Sequence, residues 1–585
     1  MTAFDDLAAR FLDEHFAADP VTATMIGDHR FDGRWPDTSD AGRLARLALY
    51  DRWAGEFRAL DDATLTPDER IDRDLVLGEL ARYHFLEGEL REDAWDPLGW
   101  VYLIGAGLHS LISRDFAPLA VRLDAFAQRL EGVPAIIADA QAVIGSHPTR
   151  PVSRLHARVA GDRIAGVSGL GDEAVELAEA AAGSDEAVAA LLPRLREANA
   201  RAKAVLEGIG EHLRTQVAAQ ASGAPELGRE LFAAKLRYTL ADLAVTPEAI
   251  LARAERSSPP SAPRWSAWPA RCGPSGAPAS RRPTTMACWC VQSSTPSRSS
   301  TRRPTTWSTS AAPSSTTSRP SAGSATSSAS PASRSRSSGR PSSCARSRAP
   351  CWIPPAPSTA ARRRSSPSRP RARVGSRRDP DPGCASSTTA SSRSSRSTRR
   401  CPATTSRAPT RTKSGASILR RVFASGLFAE GWAVYVTQVM LDRGYAGDDR
   451  ALWLTHWKFY LRAVTNTIID VRIHCDGMSS AEAIALMVDG AFQERSEAEA
   501  KDERARLSST QLATYFVGSM GCWDIEDEAR RRAAEAAGAG RDAVPMPALP
   551  GGYPQTPGFD ERAHLEAVIS HGEPPIPLLR RILLG

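Results

Sequence analysis

Through residues 1–255, apolar positions recur three and four residues apart in one segment after another, as on the buried faces of α-helices. Thr66-Pro67-Asp68-Glu69 supplies an N-cap Thr, a Pro at the first helical position and a Glu at the third. Ile71, Leu75, Leu80 and Tyr83 then follow at helical spacing. Phe116 to Ile144 repeats the pattern with Leu119, Leu123, Phe126, Leu130, Ile136 and Ile137, and Pro134 is expected to bend or restart that helix. Gly171 to Ala219, rich in Ala, Glu and Leu, reads as a long exposed helix pair. Thr246-Pro247-Glu248 opens a further helix through Ile250 and Leu251, whose pattern stops without a cap. Periodicity resumes at Ile418 in ILRRVFASGLFAEGWAVY, and Arg450 to Ile469 forms another apolar helix with Trp453, Trp457, Tyr460 and Leu461. Ser479 with Glu482 makes a capping box for a helix through Ile484 and Met487. The tail from Ala543 reads as a loop followed by a short helix at Pro575 to Leu584. These signals predict an all-α, multi-helix protein.

Between the two helical stretches the composition changes. From Ser257 to Ser417 there is no Leu, Phe, Tyr, His, Glu or Asn, and Ser, Pro, Arg, Thr and Ala dominate. A segment so poor in large apolar residues cannot offset its ordering entropy by burial, so it is expected to be a long disordered insert. Three segments follow: an N-terminal helical half (1–255), a low-complexity Ser/Pro/Arg segment (256–417) and a C-terminal helical half (418–585).

Charge separates along the same lines. Residues 257–417 hold 28 Lys and Arg and only two acids, Asp379 and Asp381, leaving 46 basic and 65 acidic residues elsewhere. The net charge of +7 therefore splits into +26 for the insert and −19 for the helical parts. Seven of the nine cysteines also fall in this segment, with neither a disulfide framework nor a regular metal spacing among them. The N-terminus MTAFDDLAARFLDEHF is acidic and amphipathic, without the basic and apolar regions of a signal peptide. No apolar run approaches the length of about 18 to 20 residues that spans a bilayer, so a cytoplasmic protein without membrane partners is expected.

The stretch with most chemistry in it is Gly426 to Met440, GLFAEGWAVYVTQVM. Phe428, Trp432, Val434, Tyr435, Val439 and Met440 surround one carboxylate, Glu430, on most of the helix circumference, so Glu430 is expected to be buried. A buried carboxylate must be neutralised, paired with a cation or bound to a metal. The string Glu430-Gly431-Trp432-Ala433-Val434-Tyr435 resembles the EGWAxY signature of a bacterial family of helical, zincin-like proteins known as domain of unknown function 885. That resemblance implies a zinc-dependent hydrolase of peptide-like substrates, with Glu430 as third zinc ligand after an HExxPGH motif some 25 to 35 residues upstream. It covers both flanks, roughly 420 residues, and includes the early run PVTATMIGDHRFDGRWPD.

The upstream motif is absent as written, yet it lies latent in another reading frame. Thr398-Arg399-Arg400-Cys401-Pro402-Ala403-Thr404 can be encoded ACG AGG CGA TGC CCG GCC ACT after a C that ends the codon of Ser397. Begun one base earlier, the same bases read His-Glu-Ala-Met-Pro-Gly-His, with the second His about 26 residues before Glu430. A Ser/Pro/Arg/Thr/Ala bias is also what a GC-rich strand yields out of frame. The expected disruption opens near Glu255 and closes near Ser417. In the restored motif two imidazoles and Glu430 would hold zinc, and the Glu beside the first His would take the proton of the bound water. Two His six residues apart do not share a face of a regular helix, so the Pro-Gly pair must distort it. With Glu430 alone, the chain as written is expected to bind zinc poorly and to be inactive.

Further candidates come from the same resemblance. His474, in Asp470-Val471-Arg472-Ile473-His474, and Tyr515, in Arg506 to Gly518, RLSSTQLATYFVG, are catalytic candidates, and Gln511 and Arg506 are candidate substrate-binding residues. Gln511 and Tyr515, four apart, would share a helix face and contact a substrate or a tetrahedral oxyanion. The alternatives are a packed Tyr with a satisfied hydroxyl and a structural His. Asp28, His29 and Asp32 read as turn and capping residues, and Cys288-Trp289-Cys290 as an accident of translation. Two rival readings remain. A disordered Arg/Ser arm would attach a nucleic acid through its phosphates, but aromatic interleaving and an RGG-type repeat are missing. A non-catalytic helical scaffold would not call for Glu430 or the latent motif.

Overall fold

Three helix starts marked in the sequence close with the caps expected of them. Thr66 and Ser479 form capping boxes with Glu69 and Glu482, and the Thr246 side chain accepts from the Ala249 amide at 3.2 Å. The computed structural model describes residues 2–257, 417–445, 447, 449–541 and 555–585, all within one compact unit. The N-terminal half runs through α1 (Ala3–Ala18), α2 (Pro20–Ile26), α3 (Asp40–Arg58), α4 (Pro67–His84), α5 (Leu98–Ile112), α6 (Leu119–Val143), α7 (Arg154–Ala182), α8 (Glu186–His212), α9 (Arg229–Leu240) and α10 (Pro247–Arg256). The C-terminal half adds α11 (Ile418–Val422), α12 (Gly426–Asp442), α13 (Arg450–Asp476), α14 (Ser480–Ala485), α15 (Arg495–Leu507), α16 (Thr514–Ala536), α17 (Glu561–Ser570) and α18 (Ile576–Leu584). Shorter helical turns link some of these, and there is no β-strand among the described residues. The protein is all-α. The expectation of a disordered insert falls on residues outside those described.

Several helices differ from expectation. α6 runs through Pro134 without restarting. α7 and α8 are not an exposed pair: Gly171, Ala174, Ala178, Val188, Leu195, Ala198 and Ala202 are buried in one core with α5 and α6. The small Ala and Gly side chains that suggested a surface are the ones that let these helices pack closely. α17 was not foreseen; its start is capped by Asp560, which accepts from the Ala563 amide at 3.0 Å.

The two sequence halves share their cores. Leu419 and Phe423 of the α11 region pack with Phe4, Phe11, Trp53 and Phe57 of α1 and α3, and the Phe11 and Phe423 rings lie 5.9 Å apart. Buried Arg420 bonds Asp72 at 2.5 Å and Asp68 at 2.9 Å. Arg253 of α10 makes a bidentate pair with Asp524 of α16, both bonds 2.7 Å.

One helix crossing decides where the candidate residues stand. α12 and α16 meet at Gly431 and Gly518, where a Cβ on Gly518 would come within 2.9 Å of the Gly431 Cα and overlap the Leu427 carbonyl. A Cβ on Gly431 would fall inside the backbone of Gly518 and Ser519. Backbone cannot rotate aside as a side chain can, so only glycine at both positions permits this approach. Gly431→Ala should therefore destabilise the protein by about 1 to 3 kcal/mol through overpacking. Gly426→Ala, with nothing within 4 Å of its Cβ, should be neutral or slightly stabilising. Urea unfolding of the two variants would check this, and equal effects would contradict the crossing.

Candidate functional site

The α12–α16 crossing sets Glu430 beside Tyr515. On α12 the residues Leu427, Phe428, Gly431, Trp432, Tyr435, Val436 and Val439 are buried, whereas Glu430, Ala433 and Val434 are only half-buried. Glu430 thus stands on the open side of an otherwise packed helix, which corrects the expectation of full burial: the surrounding apolar residues turn away from it into the core. Tyr515, three residues before Gly518, is also half-buried. Its hydroxyl is within hydrogen-bonding reach of both Glu430 and Gln511. Burial, then the Glu430 charge, pushes the phenol above its ordinary pKa, so it stays protonated and available as a donor at neutral pH.

Gln511 is not on a helix with Tyr515. It lies in the turn between α15 and α16, residues 508–513, and its backbone carbonyl accepts from the Thr514 amide at 3.2 Å where the helix begins. The Gln511 amide oxygen accepts from the Arg504 guanidinium at 2.8 Å. Arg504, Gln511, Tyr515 and Glu430 therefore form a polar cluster that runs from a cation to a carboxylate, with the Arg504–Gln511 hydrogen bond at one end and the Tyr515 phenol, acted on by both Gln511 and Glu430, at the other.

Four residues of α13, spaced by one helical turn, hold α15 and that turn in place. Arg462 pairs with Glu497 at 2.5 Å. Asn466 accepts from Lys501 at 3.1 Å. Asp470, fully buried, accepts from the amides of Thr510 and Ala513, both at 3.1 Å. Burial pushes Asp470 up to about 7, and those amides oppose the shift. His474 closes the series: its Nδ1 accepts from the Leu227 amide at 3.0 Å, and its Nε2–H donates to the carbonyls of Ala505 and Ser508 at 2.9 and 3.2 Å. Thr510 adopts φ of 67°, a strained conformation for a β-branched residue. It is kept there by Asp470 and by a 2.7 Å hydroxyl contact with Thr239. Lys235 bonds Ser509 at 3.0 Å.

Two sequence candidates are thereby corrected. His474 is a strut and not a catalytic base: both ring nitrogens are engaged by backbone, and the ring stacks on Phe232 at 5.4 Å. Arg506 does not face the cluster but ties α15 to Glu226 and to the Met478 carbonyl at 2.9 Å, and pairs with Asp502 one turn earlier on its own helix. The arginine that reaches Gln511 is Arg504, two residues earlier. Asp470, Thr510, Arg504 and Lys501 were not singled out from sequence; the polar positions repeating every four residues within the apolar run of α13 were the available signal. Asp28 and Asp32 are capping and turn residues as expected: Asp28 accepts from the Arg30 amide at 3.2 Å and Asp32 from the Thr24 hydroxyl at 2.7 Å.

Among the described residues no group of three or more His, Cys, Asp or Glu could hold a metal ion. Glu430 by itself does not make a zinc site. Thr398 to Thr404, which carry the latent motif, and the Arg-rich arm on which a nucleic-acid reading rests both lie outside the described residues. No described helix is long and apolar enough to cross a membrane.

The fold and cluster define a class of helical protein whose candidate site lies at a glycine-lined helix crossing. The chain belongs to the family described as bacterial protein of unknown function, DUF885, which matches residues 20–258 and 410–583. The match breaks off where the composition turns to Ser, Pro and Arg, which is compatible with a disrupted central part. No curated protein matches the sequence. A protein from Shewanella oneidensis, provisionally described as a lipoprotein of unknown function, has a similar structure, with a TM-score of 0.66, 21% identity and 100% of each chain covered. One from Colwellia psychrerythraea, also provisionally described as a lipoprotein, has a TM-score of 0.60 and 12% identity, with 100% of this chain and 98% of that chain covered. At these identities the likeness is one of fold.

The surroundings of His474 have a measurable consequence. Burial pushes its pKa down to about 4, below the value of about 6.5 of an unfolded chain. Between these values the unfolded chain takes up a proton that the folded chain refuses, so this contribution to stability is intact above pH 6.5 and is lost as the pH falls toward 4. His474→Gln should be less stable than the parent at pH 7, by about 1 to 3 kcal/mol for the lost buried bonds, with a gap that narrows as the pH falls. Urea unfolding at pH 7 and pH 5 would test this, and a constant gap would contradict it.

Proposed function

We propose that the Arg504–Gln511–Tyr515–Glu430 cluster is the substrate-facing part of a hydrolytic site for peptide-like molecules. We propose also that the remainder of that site belongs to the segment read out of frame. The observation behind this reading is the Tyr515 phenol. It is kept protonated beside a carboxylate on an accessible face, with a second polar group, Gln511, aimed at the same oxygen. A neutral phenol so placed can turn its one proton from Glu430 to a substrate carbonyl, and holds more strongly the oxyanion formed when that carbonyl is attacked. The turn 508–513, fixed by Asp470 and the strained Thr510, holds Gln511 ready without reorganisation.

The described residues do not fit a zinc ion, since they supply one carboxylate where a catalytic zinc site uses three protein ligands. The zinc expectation therefore concerns a chain with its frame restored, in which the bases encoding residues 398 to 404, read one base earlier, can give His-Glu-Ala-Met-Pro-Gly-His. In the chain as written, the cluster should bind a peptide carbonyl without cleaving it.

Comparison of the two chains is the test. The chain as written should hold no stoichiometric zinc and hydrolyse no peptide, whereas the restored chain should hold about one zinc per chain and hydrolyse peptides. In the restored chain Glu430→Gln should lose both properties, because an amide keeps the shape of the side chain and removes its charge. Tyr515→Phe should keep the metal and lower the turnover rate by about 10² to 10³. Equal zinc in both chains, or a fully active Tyr515→Phe variant, would overturn the reading.

A further inference from the structure

Next to the cluster lies a concentration of positive charge that the hydrolytic reading does not use. Arg462 on α13 and Lys501 and Arg504 on α15 come together on the side of the turn that carries Gln511. Arg462 and Arg504 both act electrostatically on Lys501, and Arg504 also acts on Tyr515. The acid facing them is Glu497, which is bonded to Arg462 at 2.5 Å and also acts on Lys501. Three cations thus face Glu497, with Glu430 a second carboxylate beyond Gln511 and Tyr515. The Lys501 ammonium bonds one neutral acceptor, the Asn466 side-chain oxygen at 3.1 Å, and Arg504 bonds another, the Gln511 oxygen at 2.8 Å. Neither makes an ion pair with a carboxylate among the described residues. Burial, and then Arg462, push Lys501 down to about 7, with Glu497 opposing the shift. Arg504 is exposed and Lys501 and Arg462 are half-buried.

Such an arrangement is unfavourable without a partner, because like charges gathered in a partly dry site repel one another. An anion there would meet an ammonium with free donor capacity and a planar guanidinium suited to a carboxylate. The same guanidinium is bonded to Gln511, which together with Arg504 itself also acts on the Tyr515 hydroxyl. An anion at Arg504 would therefore belong to the molecule whose carbonyl lies at Tyr515.

We propose that Lys501 and Arg504 bind a carboxylate of the substrate, so that the preferred ligand is a peptide-like molecule with a free carboxylate close to the carbonyl held at Tyr515. This rests on the reading of Tyr515 and Gln511 as substrate-facing. A terminal α-carboxylate and an acidic side chain offer the same chemistry, and the proximity of Arg504 to Tyr515 favours the terminal group.

Calorimetric titration of the full chain as written, which requires neither metal nor turnover, would test the proposal. The probes are acetyl-trialanine as the free acid, the same peptide as its C-terminal amide, and acetyl-Ala-Glu-Ala-amide, whose only carboxylate is on a side chain. The free acid should bind at least about tenfold more tightly than the trialanine amide, as expected for a charge-assisted contact, and the advantage should shrink with added salt. Lys501→Met and Arg504→Gln should each remove most of that advantage, and Lys501→Arg should keep it. Arg504 is on the surface, so its substitution leaves the fold in place even where Lys501→Met does not. Tighter binding of the Glu-containing amide than of the free acid would support the carboxylate site and assign it to an acidic side chain. Equal binding of acid and neutral amide would overturn the carboxylate site while leaving the Tyr515 reading intact, and so would binding of the acid unaffected by Arg504→Gln. If the carboxylate preference holds but the restored chain never cleaves a peptide, the hydrolytic reading fails and this one stands.

Discussion

The backbone contact between Gly431 and Gly518 is the constraint on which the candidate site depends. Two helices at ordinary packing distance keep their axes about 8 to 10 Å apart because side chains fill the space between them. Here a Cβ on either glycine would overlap the other helix. Glu430 immediately precedes one glycine and Tyr515 lies three residues before the other. The crossing therefore brings a carboxylate and a phenol from segments 85 positions apart within hydrogen-bonding reach. The aromatic residues that accompany the motif serve the same end. Phe428, Trp432 and Tyr435 are buried with Cys522, Ile525, Val568 and Leu579, and so fix the rotation of α12 that leaves Glu430 on its open side.

A second constraint operates from α13. Arg462, Asn466, Asp470 and His474 occupy one face at intervals of one turn, and each engages a different part of the α15–α16 region. Apolar residues on the other faces, Ile469, Ile473 and Val471, bury against two separate cores. The helix is thus anchored by its apolar faces and uses its polar face to position a turn. The strain at Thr510 is tolerated because the Asp470 carboxylate and the Thr239 hydroxyl hold it from two sides. Precision at Gln511 is achieved by groups that need not touch a substrate.

What was legible in the sequence follows from the range of the interactions involved. Capping boxes at Thr66 and Ser479 and the Thr246 start depend on residues three apart, and the structure has them. Glu430, Tyr515 and Gln511 were identified through a family resemblance, and the structure brings them together. Their geometry was not legible: Gln511 and Tyr515 were placed on one helix, whereas Gln511 lies in the turn before it, because four-residue spacing does not show where a helix begins. His474 and Arg506 were misassigned for a related reason. Chemically capable side chains stand out in sequence, but their partners, the Leu227 amide for one and Glu226 for the other, are some 250 and 280 residues away. Arg504 and Lys501 drew no notice because a charged residue on an amphipathic helix ordinarily faces water.

The claim most open to direct test is that Glu430 and Tyr515 form one site. Tyrosine labelled with ¹³C in the full chain, with the Tyr515 signal assigned by its loss in Tyr515→Phe, would report the titration of that phenol by nuclear magnetic resonance. The account predicts titration above the ordinary value of about 10 and a fall on substitution Glu430→Gln, as the neighbouring charge is removed while burial remains. A Tyr515 that titrates at its ordinary value, or whose titration does not respond to Glu430→Gln, would contradict it.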